Sequence, residues 1–201
     1  MVIKSNILLD KLPNITPSGL KIRTDFRETI KFEMLMQDKK IDKKDKVRLI
    51  LELYYYDLSK IKDIKQAVED ILWFYRAGKE IQNKDEDEED KEEIEETETN
   101  NIKQIYSYEF DAEYIYSAFM EQYKIDLNSI KYLHWWKFKA LFNSLNEDVL
   151  FSKIMGYRSI NLAKIQNKEM NKFYKKMKEI YALPDMRSEE EKEEDFANEL
   201  W

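Results

Sequence analysis

A chain of 201 residues with 43% apolar and 13% aromatic content has enough material for one core or two small ones, which excludes a wholly disordered protein. It contains no Cys, so disulfides, thiolate nucleophiles and thiolate metal sites are excluded together, and no run approaches the roughly 18 apolar residues of a membrane span. The net charge of -7 lies in blocks: residues 85–98 hold eleven acids and one Lys, residues 189–199 seven acids and one Lys, and residues 153–178 eight basic groups against Glu169.

Three Gly and three Pro leave little turn chemistry for many strands, while helix formers are plentiful, so the composition predicts an all-α protein. Residues 1–23 are short and mixed, and Pro17, Ser18 and Gly19 suit the turn of a small β-hairpin lying against helices. Thr24 is placed to cap a first helix presenting Phe26, Ile30, Met34 and Leu35. Asp42 opens a second, with Val47, Ile50, Leu51, Tyr54 and Leu58 in its stripe. A third starts near Asp63, where Ile64, Ala67, Val68, Ile71, Leu72 and Tyr75 recur at helical spacing until Gly78 ends or bends it.

Residues 84–101 are acidic with Ile94 as their one apolar side chain, and this composition predicts a disordered, self-repelling linker. Beyond it, helices are expected over 111–123, 130–145, 146–155 and 167–183. The last carries Met170, Phe173, Tyr174, Met177 and Tyr181 on one face and is stopped by Pro184. Ser188 and Glu191 have the spacing of a capping box for a short acidic tail helix ending in Leu200 and Trp201. The expectation is about seven helices in four segments: 1–83, a hairpin plus helical half; 84–101, the linker; 102–185, an aromatic-rich helical half; and 186–201, the tail.

No phosphate-binding loop, dinucleotide fingerprint or nucleophile elbow is present. His134 is the sole histidine; a His-rich zinc site is impossible with one His and no Cys can complete it, and among aromatic neighbours it reads as a packed core residue. Asp111 and Glu113 are spaced to opposite sides of a helix, and Asp25 and Glu28 suit a helix N-terminus better than a substrate. The expectation is a protein that is not an enzyme, with no catalytic residue, metal or cofactor.

Binding surfaces are the stronger signal. Tyr54, Tyr55 and Tyr56 spread around a helix, so at least one ring must face outward. Trp135 and Trp136 are adjacent, which predicts one in the core and one as an exposed contact anchor. Lys164, Lys168, Lys172, Lys175, Lys176 and Lys178 form a basic face. A solvated surface is favoured over a nucleic-acid site, because the block has one Arg and no recognised motif; a third reading has an acidic segment of the same chain folding over it.

Several segments share wording and order with a known family: NILLDKLPNI at 6–15, LKIRTDFRE at 20–28, WFYRAGK at 73–79, YSYEFDAEYIYSAFMEQYKIDL at 106–127, YLHWWKFKALFNSL at 132–145, KIMGYRSI at 153–160 and IYALPD at 180–185. Together they resemble the gene-product-fifteen proteins of tailed phages of Gram-positive bacteria; the acidic run departs from that pattern, whose middle is more compact. The resemblance implies a tail assembly protein of the host cytoplasm, a chaperone whose partners are the tape-measure protein and tail-tube subunits. A structural component of the virion tail or connector is the main alternative, and a small nucleic-acid-binding phage regulator the second. No membrane partner is expected.

Overall fold

The computed structural model describes residues 6–79 and 104–185. Seven α-helices, two 3₁₀ turns and no strand occur among them. The helices are α1 (Phe26–Gln37), α2 (Lys43–Tyr54), α3 (Ile64–Tyr75), α4 (Ala112–Tyr123), α5 (Trp135–Asn143), α6 (Leu150–Ser159) and α7 (Lys168–Ile180). The linker at 84–101 and the tail helix at 186–201 lie outside the described residues.

Short polar side chains start several helices. Asp42 accepts from the N–H groups of Lys44 and Asp45, Asp63 from those of Lys65 and Gln66, and Asn167 from those of Glu169 and Met170. The expected cap of α1 is one residue off: Asp25, not Thr24, accepts from Arg27 N–H, while the Thr24 hydroxyl is 2.7 Å from the Tyr132 hydroxyl. The α1 stripe is also turned, since Phe26, Thr29, Phe32 and Glu33 are buried whereas Met34 is exposed.

The expected hairpin is reduced to a turn. Ile15 and Lys21 form one antiparallel bridge around Pro17–Gly19, with Gly19 at φ +87°, flanked by Thr16 N–H to Leu20 O and Ile22 N–H to Asn14 O, and Ile22 is bridged on its other side to Tyr55. The turn is pinned to α3 because the Ser18 hydroxyl donates to the buried Asp70 carboxylate.

α1 packs against α2 and α5, α2 against α3, α4 against α6, and α6 against α7. Residues from both sides of the acidic run build one continuous core, and Phe138 of α5 is its hub. Its ring stacks on Phe26 at 4.7 Å, Phe119 at 5.1 Å and Trp135 at 5.6 Å between centroids. Phe142 carries the aromatic chain on to Phe151 of α6 at 5.5 Å. Each of these rings removes a large apolar area from water and gains ring-edge or stacking geometry besides.

α5 is shorter than the expected 130–145 because residues before it are used otherwise. Leu133 O accepts from Phe26 N–H, the Asp25 carboxylate accepts from Leu133 N–H, and Thr24 O accepts from Trp135 N–H. This extended crossing between residues 24–26 and 133–135 satisfies backbone groups that a longer helix would have used internally. Arg27 reinforces it by donating to the carbonyls of Leu127 and Ile130.

Candidate binding surface

Several buried polar side chains hold the fold together, while Trp73 Nε1 and Arg76 Nε are buried without a hydrogen-bond partner. Asp111 accepts from both terminal nitrogens of Arg158 at 2.6 and 2.8 Å and from Ser107 N–H at 2.9 Å. Arg158 also donates from Nε to Tyr181 O and from Nη1 to Ile105 O, so one guanidinium ties the start of α4 to the ends of α6 and α7. Both partners are buried, where a carboxylate and a guanidinium persist only when paired and fully hydrogen-bonded. No local sequence signal marks this pair: Asp111 stands beside Glu113, and Arg158 lies within the basic block at 153–178.

His134 is the N-cap of α5. Its Nδ1 accepts from Trp136 N–H at 3.1 Å and its Nε2 lies 3.1 Å from Pro13 O, an arrangement that fixes the neutral tautomer with the proton on Nε2. Burial pushes its pKa down, the Pro13 carbonyl acts in the opposite sense, and Lys137 adds to the lowering. The imidazole therefore has both ring nitrogens occupied within the fold.

Trp135 and Trp136 correct the expectation that one is an exposed anchor: both are buried, at 2% and 4% exposure. The physical reason lies at the end of α3, whose last carbonyls lie outside the regular helical ladder and keep acceptor capacity, Phe74 O even while it accepts from Ala77 N–H in the turn. Trp136 Nε1 donates to Phe74 O at 2.8 Å and Trp135 Nε1 to Tyr75 O at 2.9 Å, so neighbouring indoles diverge to serve neighbouring carbonyls. The chain then turns at Gly78 with φ +71°, and a β-carbon there would sit 3.1 Å from the Trp136 ring. Tyr54 and Tyr55 are likewise core residues, donating to Thr29 Oγ1 and Ala67 O. Tyr56 is the outward ring of the three, with Arg23 4.7 Å and Lys21 5.4 Å from its centroid.

Glu33 is buried against Tyr75, whose hydroxyl donates to it at 2.9 Å, and near Lys139, which donates to Tyr75 O. Burial pushes the Glu33 carboxyl up; the Tyr75 hydrogen bond, Lys139 and Tyr106 pull it down. Tyr106 in turn is pushed up to about 12 by burial and by the Glu33 charge. The cluster ties α1, α3 and α5 together through Glu33, Tyr75 and Lys139. Among the described residues, no group of three or more His, Cys, Asp or Glu is gathered so as to hold a metal ion.

The surface that stands out is α7. None of its side chains is buried. Tyr174 packs near Tyr157, and Asn171 donates to Leu162 O, which sets the inner face. Met170, Phe173 and Ile180 fall on the neighbouring strip and are 51%, 50% and 57% exposed. Lys168, Lys172, Lys175 and Lys176 border that strip and are exposed; Lys164 is exposed on the preceding 3₁₀ turn, and Lys178 turns inward to donate to Ile160 O. The basic face is thus the edge of an apolar stripe. A second exposed apolar feature is the turn at Ile7–Leu9, closed by hydrogen bonds between Asn6 and Asp10.

The described fold is helical, ties Asp111, Arg158 and His134 into its own packing, and displays a lysine-edged apolar stripe on α7. The family described as Bacteriophage Gp15 protein matches residues 8–183, and the chain belongs to that family. No curated protein and no solved structure matches it. The segments carrying the family resemblance meet one another in space: LKIRTDFRE and WFYRAGK both meet LHWWKF, Pro13 of NILLDKLPNI meets His134, and Asp111, Arg158 and Tyr181 join the other three. No described helix is long and apolar enough to cross a membrane.

Proposed function

We propose that this phage protein is a non-enzymatic binding protein of tail assembly, a chaperone that holds the tape-measure protein, and tail-tube subunits assembling on it, during tail morphogenesis. The observation that carries the reading is the α7 stripe. Met170, Phe173, Met177 and Ile180 recur at i, i+3, i+7 and i+10 on a helix with no buried side chain. A tape measure offers long amphipathic helices whose apolar stripes need cover before the tube forms, and helix-against-helix docking supplies it. Family membership supports the phage context, and the inward commitment of His134, Asp111 and Glu33 favours binding over chemistry.

Co-expression tests it. The tape measure should become soluble with the wild-type protein and remain insoluble with Phe173→Asp, which places a charge in the stripe. An insoluble tape measure with wild type overturns the assignment. Stoichiometric presence of the protein in purified particles would favour a structural tail or connector subunit, and a salt-sensitive gel shift abolished by Lys172→Glu would favour a nucleic-acid-binding regulator.

A further inference from the structure

The outward face of α4 is the charge complement of α7. While α4 buries Ile115, Ala118 and Phe119, it leaves Ala112, Tyr116 and Met120 exposed in one row at i, i+4 and i+8. Glu113, Ser117 and Glu121 make the exposed row beside it, and the two Glu are the only charged residues of Ala112–Tyr123. On α7 the same plan carries the opposite sign. Phe173 and Met177 form its apolar row and Lys168, Lys172 and Lys176 the row alongside, with five Lys against two Glu over Lys168–Ile180.

We propose that α4 of one molecule docks against α7 of a second copy of this chain, the two helices running parallel. The direction follows from handedness. Seen from outside with its N-terminus down, a right-handed helix carries residue i+1 to the right of residue i. The acidic row of α4 therefore lies to the right of its apolar row, and the lysine row of α7 to the left of its own. Turned face to face, parallel helices set apolar row on apolar row and Glu on Lys, whereas antiparallel ones set each charged row on an apolar one. With Tyr116 level with Phe173, Met120 meets Met177, Glu113 comes between Lys168 and Lys172, and Glu121 comes beside Lys176. The helices also match in length, at 12 and 13 residues. Pairing of α7 with another α7 is disfavoured, because the arrangement that joins their apolar rows also sets lysine row on lysine row.

Within one molecule α4 and α7 both pack on α6, so each keeps its outer rows free for another copy. One helix face is well short of the about 1,600 Å² of a standard interface, so the contact is reversible and depends on concentration. It stands apart from the tape-measure reading, although a client bound along α7 competes with it.

Sedimentation of the full-length protein tests the contact. The mass of wild type should rise above that of the monomer as concentration increases. Glu113→Lys with Glu121→Lys makes both faces positive, and Lys172→Glu with Lys176→Glu makes both negative; all four positions are exposed, so each variant should keep its helical spectrum. Each variant alone should need a concentration about tenfold higher or more to reach the same mass. Their equimolar mixture should associate again, since the positive α4 of one meets the negative α7 of the other, and the unaltered faces also match. Wild type that stays monomeric at every concentration overturns the proposal, as does a mixture of folded variants that fails to associate. Association of the α4 variant at wild-type strength would place the contact on another face and likewise overturn it. No tape measure enters these measurements, so their failure is distinct from failure of the co-expression test.

Discussion

The junction where α5 meets α1 and α3 and the outer helix α7 are built from similar sequence material, apolar residues at helical spacing with aromatics among them. At the junction, Phe26, Phe74, Trp135, Trp136 and Phe138 are all buried, and Phe26 stacks on Phe138. On α7 no residue is buried, and the aromatic contacts end at the Tyr157, Phe173, Tyr174 and Tyr181 group. The difference is not amphipathicity but what lies opposite. α5 sits between two helices that supply both apolar faces and orphan carbonyls for its indoles, whereas α7 has α6 and a 3₁₀ turn on one side. Periodicity marks a face that can be covered; tertiary context decides whether it is covered within the described fold.

The comparison is sharpest where its two sides should respond differently. The largest effect is expected at the ion pair linking α4, α6 and α7: Asp111→Asn strands the Arg158 charge in a buried site and should cost about 3–5 kcal/mol, read as a shift in the urea midpoint. Trp135→Ala and Trp136→Ala should each cost an amount of the same order, about 3–5 kcal/mol, and should resemble one another because both indoles fill core and cap α3. A large loss for only one of them would break the symmetry inferred for the junction.

Smaller effects follow from pH. Burial lowers the His134 pKa, so the unfolded chain binds the proton first; the stability held by neutral His134 is present above the unfolded value of about 6.5 and is lost as pH falls through it. The slope should be at most about 1.4 kcal/mol per pH unit, and His134→Asn, which keeps an N-cap acceptor, should remove it. Glu33 has the opposite sign. Its raised pKa means that its contribution is greatest below the ordinary value of 4.5 and is lost as pH rises through the folded value, and Glu33→Gln should flatten that part of the profile. Thermal melts from pH 4.5 to 8 check both. The smallest effect belongs to α7: Phe173→Ser should change stability by less than about 1 kcal/mol while weakening client binding, since half of that ring already faces water.

Much of the fold was legible because its signals are local. Asp42, Asp63 and Asn167 announced their helices by side-chain chemistry, and spacing found Ile50, Leu51 and Tyr54 on α2 and Ala67 and Ile71 on α3, but Leu58 lies past α2 and is exposed, Ile64 is exposed, and buried Phe74 falls outside the expected α3 stripe. Boundaries failed where a distant segment competed for the backbone, as at 130–134, which pairs with residues 24–26 instead of extending α5. The Trp pair failed for a related reason, because a helix flanked on two sides can bury adjacent residues. Asp111 and Arg158 lie 47 positions apart, and nothing local distinguishes either from the other charges of the chain. The basic face of α7 was legible as charge but not as the margin of an apolar strip.

Arg158 also bears on how this protein can vary in length. Its Nη1 holds the carbonyl of Ile105, just after the acidic run, and its Nε holds that of Tyr181, just before the tail. Two stretches of strongly negative sequence are therefore moored at a single guanidinium. For the internal run between Lys79 and Ile105, inserted or deleted residues alter the loop-closure entropy only slowly, about 0.6 kcal/mol for a doubling of length. Changes of charge or length in the acidic sequence leave in place the two carbonyls that Arg158 holds, so the mooring separates that sequence from the residues that pack α4, α6 and α7.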